Sequence, residues 1–521
     1  MASSVSTASM RASKAKTSSR QFVVNVLSNI GVVGLNIVVG LWFTPYLIAH
    51  LGVALYGIVV LANSVTNYMS VVNAAIGNVT GRYLTIEIQQ GQIEAANRTF
   101  NTAFWAGLLL MTGLLPIVML MAHSAPYLFH VPTGSEVAVK WLFLATLVSY
   151  LLVILKGVFT ASTFAHNRLD LQNTVASVNI GGRVLIVILL FGIAVQPELW
   201  HVGAGIITGG LFSLGLAFIV WRWLTPELKI STRLFDRSKL RSLSGMSGWT
   251  VINQMGIVLF LNVDLIVVNL VLGAEAGGRY GSALQWTILL RTLGATVATA
   301  LTPVVLRQYA LGDLVRMTEL AQQAVKLFGL AFALPVGLIT AFAAPLLSLW
   351  LGPEFAEMAP VLRVLVVHLC VNLAVLPLFS LQVAMNKVRW PGIVTLGMSI
   401  LNVILAVWWA QWGEFGIGVA FAGAVVLTLK NTFYIPIYGA YIQSVPWDTY
   451  LLKMVPGVVA TLGIGFIAYC LTYFVSFDSW FILFEYTALL AVIYAAMAYW
   501  LGFNRSDREI LLGIMRLRPG A

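Results

Sequence analysis

Fourteen stretches of apolar residues, most of them long enough to cross a bilayer, decide what this chain can fold into. A crossing takes about 20 apolar residues. The stretches lie near residues 22–49, 55–80, 97–122, 138–164, 171–195, 202–224, 247–271, 278–306, 321–349, 360–385, 391–412, 416–443, 452–475 and 479–503. Only 9% of the 521 residues are charged and 59% are hydrophobic, whereas a soluble domain carries about 25% charged residues. No internal core can hide that much apolar surface, so lipid must solvate most of it. Backbone polar groups in lipid have to be satisfied within each segment, which selects helices. The expected fold class is an all-α polytopic membrane protein with about 14 transmembrane helices; twelve would preserve the same topology.

One stretch is repeated. Leu272–Gly312 opens on Leu-Gly, and Leu51–Gly91 opens and closes the same way. Gly57 falls where Gly278 does, so four matches share one offset of 221 residues. Two further echoes keep the order: Ala165-His166-Asn167-Arg168 against Ala384-Met385-Asn386-Lys387, and Gly203-x-Gly205 against Gly416-x-Gly418. An ordered internal repeat of this length predicts two six-helix bundles related by a pseudo-two-fold axis along the membrane normal. The expected divisions are a disordered basic tail (1–20), an N-terminal bundle (21–224), a cytoplasmic linker (225–246) and a C-terminal bundle (247–445). Two extra C-terminal helices (446–503) and an amphipathic cytoplasmic tail (504–521) complete the chain.

The net charge of +11 is read as loop asymmetry rather than nucleic-acid binding. Twenty-two basic residues fall on one side of the expected topology and three (Lys140, Arg279, Arg363) on the other. That split places both termini in the cytoplasm. The first span has no small-residue cleavage site after it, so it reads as uncleaved. Cys370 and Cys470 both lie in apolar runs and suggest no disulfide framework. No catalytic set and no metal-ligand spacing is present in the sequence, which points away from an enzyme.

Five basic residues fall inside spans: Lys156, Arg183, Arg291, Lys326 and Lys430. Charge at bilayer depth costs roughly 2.5–3.5 kcal/mol on insertion scales and marks a functional site by default. Lys156 and Lys326 can snorkel; Arg183 and Arg291 are too deep for that, and Lys430 is central in its span. Only Asp264 and Glu485 are clear intramembrane acids. An excess of cations at depth suggests an anionic cargo, and the arginine fork suits phosphate. Arg183, Arg291, Lys430 and Lys156 are therefore the candidate diphosphate-binding residues. Lys430, Tyr434, Tyr438 and Tyr441 share one helix face. Asn25, Asn29 and Asn36 stripe the first span, and Asn63, Asn67 and Ser70 the second. Asn29, Asn36, Asn63, Asn67, Tyr434 and Tyr438 are candidate sugar-facing groups; interhelical hydrogen bonding is the alternative for the asparagines. Asp264 with Asn253 is either a Na⁺ or H⁺ coupling site or the counter-ion of Arg291.

The LG-x4-G entry to the second span, the Gly91 turn, the Asn-basic turns and the run from Asp264 through Leu272-Gly273 to Tyr280 together resemble the polysaccharide flippases. These belong to the multidrug/oligosaccharidyl-lipid/polysaccharide exporter superfamily, and the resemblance covers most of residues 20–445. It implies two six-helix bundles in a V around a central cavity. It also implies transport of undecaprenyl-diphosphate-linked oligosaccharide from the inner to the outer face of the bacterial inner (plasma) membrane, for which alternating access is the expected route. The product would be O-antigen, capsule or exopolysaccharide. The last two spans are implied to help hold the lipid tail. Polysaccharide polymerase and glycosyltransferases are the implied partners, with no cofactor. The main alternative is a cation-coupled multidrug exporter of the same superfamily; a membrane glycosyltransferase and a non-transporting scaffold are more distant.

Overall fold

The computed structural model describes residues 2–240 and 248–502. Among the described residues the regular structure is all helical. The helices are α1 (Ala2–Leu51), α2 (Val53–Asn67), α3 (Ser70–Gln89), α4 (Ile93–Leu128), α5 (Glu136–Ala165), α6 (Leu169–Ile193) and α7 (Leu199–Leu224). After the linker come α8 (Gly248–Leu272), α9 (Ala274–Ala310), α10 (Leu314–Ala341), α11 (Ala343–Leu351), α12 (Ala359–Val367), α13 (Leu369–Ala374) and α14 (Leu376–Ala384). The series ends with α15 (Arg389–Trp409), α16 (Ile417–Leu429), α17 (Ile435–Gln443), α18 (Leu451–Leu471) and α19 (Trp480–Met497). Among the described residues, thirteen helical segments are long and apolar enough to cross a membrane. The second expected span is instead two helices, α2 and α3, separated at Tyr68–Met69. Leu109, Ile193, Trp408 and Phe466 leave most of their surface uncovered, as side chains solvated by lipid do.

Two compact units are present, residues 1–278 and 279–521. The first includes α8, which the sequence reading assigned to the second bundle. Asn67 Nδ2 donates to Asn262 Oδ1 at 2.9 Å, tying α2 to α8. Residues 2–20 are helical and continue the first span, where composition suggested a disordered tail; neither Pro nor Gly stands there to end the helix. The expected amphipathic tail at 504–521 lies outside the described residues.

The repeat is visible in the backbone. Gly52 and Gly273 take φ of 81° and 93°, and Gly91 and Gly312 take 72° and 73°. Asn167 and Asn386 also match, at 54° and 53°. Each Asn turn closes with the same bonds: Asn167 N–H to Phe164 O and Arg168 N–H to Thr163 O, against Asn386 N–H to Val383 O and Lys387 N–H to Gln382 O. Asn is the side-chain-bearing residue that best tolerates this left-handed geometry. The third echo is matched only in part. Gly416 has φ 80° at the start of α16, while Gly203 is inside α7.

Repeat-related glycines also touch. A Cβ on Gly57 would lie 2.3 Å from Ala274 O, and one on Gly278 would lie 2.1 Å from Val53 O. Val53 and Ala274 are themselves one repeat apart, so the contact is self-complementary. In membranes, where apolar burial drives little association, such close backbone approach is a main source of packing energy.

The linker is a strap laid along α4. Asn97 Nδ2 donates to Glu227 O, and Lys229 N–H donates to Asn97 Oδ1. One turn on, Asn101 Nδ2 donates to Lys229 O and Ser231 N–H donates to Asn101 Oδ1. Trp105 Nε1 reaches Ser231 O, and Leu228 is fully buried in a cluster with Phe100 and Trp221. The strap ends where Lys239 Nζ meets the buried Glu87 carboxylate. Just before it, the Ser238 hydroxyl and amide hold the Asp236 carboxyl below its ordinary range. Each amide clamp contributes roughly 0.5–1.5 kcal/mol per bond. Replacing both Asn97 and Asn101 with Ala is therefore expected to speed amide exchange in residues 227–239 by about tenfold or more. Unchanged exchange would show that the clamps hold nothing.

Candidate functional site

The site grows from one irregular turn. Pro436 has no N–H to give the helix, and its ring crowds the carbonyl four residues back. The helix absorbs this as a π turn at Lys430–Tyr434 between α16 and α17, closed by Ile435 N–H on Lys430 O. Single π turns of this kind are frequent at functional positions. Here the turn places Lys430 and Asn431 side by side and buried.

Lys430 Nζ lies 3.5 Å from Thr395 Oγ1 on α15 and 5.9 Å from the centre of the Phe379 ring. No carboxylate partners it among the described residues. Asn431 Nδ2 donates to Asn372 Oδ1 at 2.9 Å. Asn372 Nδ2 then faces His368 Nδ1. Because the Asn372 oxygen is already used by Asn431, its NH₂ is the group turned to His368. The ring nitrogen Nδ1 therefore accepts, and the proton of a neutral ring sits on Nε2. His368 lies where α12 breaks before α13.

Arg291 completes the group from α9. This helix runs along α12–α14: Thr287 Oγ1 donates to Leu365 O, and Thr302 and Ser380 hydroxyls meet at 2.8 Å. Arg291 is near enough to His368 and to Lys430 for its charge to act on each. Two of the expected cations are thus within electrostatic range of each other in the second unit. Asn431 Oδ1 and the Tyr434 hydroxyl are buried there without a hydrogen-bond partner. Tyr434 stacks on Tyr438 at 5.4 Å between ring centres, and the Tyr441 ring lies tilted by 30° at 6.4 Å from that of Tyr438. Tyr438 OH reaches Lys387 O. The tyrosine stripe is therefore a continuous aromatic ladder from Lys430 to the Asn386-Lys387 turn.

In the first unit, Arg183 sits on α6 where Gly205 and Gly209 bring α7 onto its backbone. Its Nε is buried with no hydrogen-bond partner. Lys156 is half-buried on α5 with no hydrogen-bonding or acidic partner for its amine among the described residues. Asp264 is buried, and its charge acts on Tyr68. Asn253, eleven residues earlier on the same face of α8, is half-buried.

The asparagine stripes divide. Asn29 and Asn36 are exposed, Asn36 bonding only its own helix at Val32 O. Asn63 is half-buried, and Asn67 is spent on Asn262. Asn25 is structural: its side chain bonds the Asn167 carbonyl and side chain at the Asn167-Arg168 turn. Sequence reading did not single out His368, and it missed the connection through Asn372 and Asn431. The one available signal was Pro436 following Lys430 by six positions. No group of metal-ligating side chains occurs among the described residues.

The apolar helices and the duplicated backbone turns build a fold that solved transporter structures share. The structure of a multidrug resistance MATE family transporter of the superfamily named above, in its inward-facing conformation, matches with a TM-score of 0.56. It is 16% identical, covering 85% of this chain and 96% of that one. Lipid II flippase MurJ, in an inward closed conformation, matches at 0.61 with 14% identity, covering 89% and 98%.

The chain belongs to the polysaccharide biosynthesis protein family, whose model matches residues 22–308. The uncharacterized membrane protein EpsK of Bacillus subtilis (strain 168) is 31% identical over 502 residues, 96% of this chain and 99% of that protein. The resemblance drawn from the Leu-Gly and Asn-basic turns is thereby borne out.

Proposed function

We propose that the protein is a flippase. It moves undecaprenyl-diphosphate-linked oligosaccharide from the cytoplasmic to the outer face of the bacterial inner membrane, for surface polysaccharide synthesis. The observation that carries this reading is the convergence of Arg291 and Lys430. Two cations away from bulk water draw an anion strongly, because their charge is poorly screened there. The Arg fork suits the oxygens of a diphosphate, which can take charge-assisted hydrogen bonds from it. His368 Nε2–H adds a neutral donor. The Tyr434–Tyr438–Tyr441 ladder offers sugar rings a flat apolar surface, and Asn431 Oδ1 an acceptor for a hydroxyl. Arg183 and Lys156 provide a second cationic station in the N-terminal unit. The family membership and the fold shared with MurJ support a lipid-linked cargo.

Both termini are cytoplasmic in this reading, and movement is by alternating access of the bundles 21–224 and 247–445. An inside-negative potential favours outward movement of the anion by about 2.3 kcal/mol per charge per 100 mV. Asp264 and Asn253 are the proposed coupling site for Na⁺ or H⁺. The test is purified protein in liposomes carrying a fluorescent polyprenyl-diphosphate sugar on the inner leaflet. The expected result is that the inner pool becomes accessible to an external quencher. Transport of cationic drugs with no movement of the lipid-linked sugar would establish the multidrug exporter instead.

A further inference from the structure

A second basic site lies away from the one above. Along α10 and α18, Gly329 packs on Gly457 and Gly337 on Gly465, so closely that a Cβ on Gly337 would sit 3.0 Å from Thr461 O. Past the second crossing, α12 joins the two helices, and the glycines leave no side chains to fill the space. The result is a cavity of about 250 Å³. Arg363, Thr340, Tyr469, Leu462 and Phe466 line it.

The lining is sorted by chemistry. Arg363 is five residues into α12, so its Cα is about 6 Å along the helix from its start. Its Nε donates to Thr340 O at 3.3 Å, and its guanidinium lies 5.3 Å from the centre of the Tyr469 ring. These contacts fix the fork. No carboxylate and no other hydrogen-bond acceptor meets the terminal nitrogens among the described residues. Tyr469 and Tyr473, whose hydroxyls meet at 3.0 Å, stand beside it at the end of α18. Leu462 and Phe466 lie deeper along α18 and are exposed, Phe466 to 70%. A cation and two phenols at a helix end, with an apolar wall one and two turns below, match the interfacial position of a lipid headgroup and its chains.

We infer that this cavity binds the phosphate of an anionic membrane phospholipid through Arg363, with an acyl chain lying on Leu462 and Phe466. In the orientation given by the loop charges, the lipid belongs to the outer leaflet. The inference does not rest on the flippase reading, since it uses neither Arg291 nor Lys430.

The test is native mass spectrometry of the delipidated full-length protein titrated with phosphatidylglycerol, with phosphatidylcholine, and with inorganic phosphate. Arg363→Ala is expected to weaken phosphatidylglycerol binding about fivefold, the effect of one basic group at a membrane surface, and Leu462→Trp, which fills the cavity while keeping the charge, is expected to weaken it by steric exclusion. An Arg291→Ala, Lys430→Gln double variant is expected to keep that binding. Phosphatidylcholine is expected to bind more weakly, and inorganic phosphate not to compete. Wild-type affinity in both cavity variants would overturn the assignment. Inorganic phosphate binding as tightly as the lipid would overturn the choice of a membrane lipid as its source.

Discussion

Replacing Arg291 with Ala is expected to lower delivery of lipid-linked glycan about thirtyfold or more at matched protein level. Removing one side of a desolvated charge pair costs about 2 kcal/mol at the low end of measured values. Lys430→Gln is expected to do the same, and Arg291→Lys to recover only part of the activity. Lysine keeps the charge but loses the planar fork that grips two phosphate oxygens together. Lys430→Arg is expected to recover most of it, since no neighbouring contact requires the ammonium shape beyond the 3.5 Å approach to Thr395. Surface glycan, quantified against membrane-extracted protein, reads all four. Equal export by the Arg291→Ala and wild-type proteins would remove the site from the mechanism.

The second large effect concerns folding. Gly278→Ala puts a methyl group 2.1 Å from the Val53 carbonyl oxygen, and Gly57→Ala puts one 2.3 Å from that of Ala274. Neither neighbour is a side chain that can rotate away, so α2 and the start of α9 must part. Overpacking of this kind costs typically about 1–3 kcal/mol, and more where backbone must move. Both variants are expected to melt at clearly lower temperature and to give less monodisperse protein. Gly113→Ala is the control, because nothing lies within 4 Å of its Cβ position. Melting of Gly278→Ala together with Gly113→Ala would mean that the contact carries no packing energy.

What could be read in advance follows from how local each signal is. Gly52, Gly91, Asn167 and their repeat partners were legible because a left-handed backbone position favours Gly and Asn and leaves them in sequence. Arg291 and Lys430 were legible because a charge deep in an apolar run has no ordinary explanation there. The break at Tyr68–Met69 carries neither Pro nor Gly and gave no warning. Asn97 and Asn101 look like any amides on a solvated helix end; only the strap they clamp shows their use. Asn25 looked like part of a cavity stripe because its partner, Asn167, is remote in sequence. His368 joins the cationic group through two asparagines on separate elements, a connection no spacing rule can express.

The most direct measurement is equilibrium binding of undecaprenyl diphosphate, set against a cationic drug, to purified wild-type protein and to the Arg291→Ala, Lys430→Gln double variant. Arg363→Ala serves as a background in which binding at the separate phospholipid cavity is weakened. Charge at membrane depth that exists to hold a diphosphate headgroup requires tight binding of the lipid diphosphate to wild type and to Arg363→Ala. It also requires weakening by well over tenfold in the double variant, and no gain for the drug. Lipid diphosphate binding that is indifferent to Arg291 and Lys430, or a wild-type protein that prefers the cation, would contradict it.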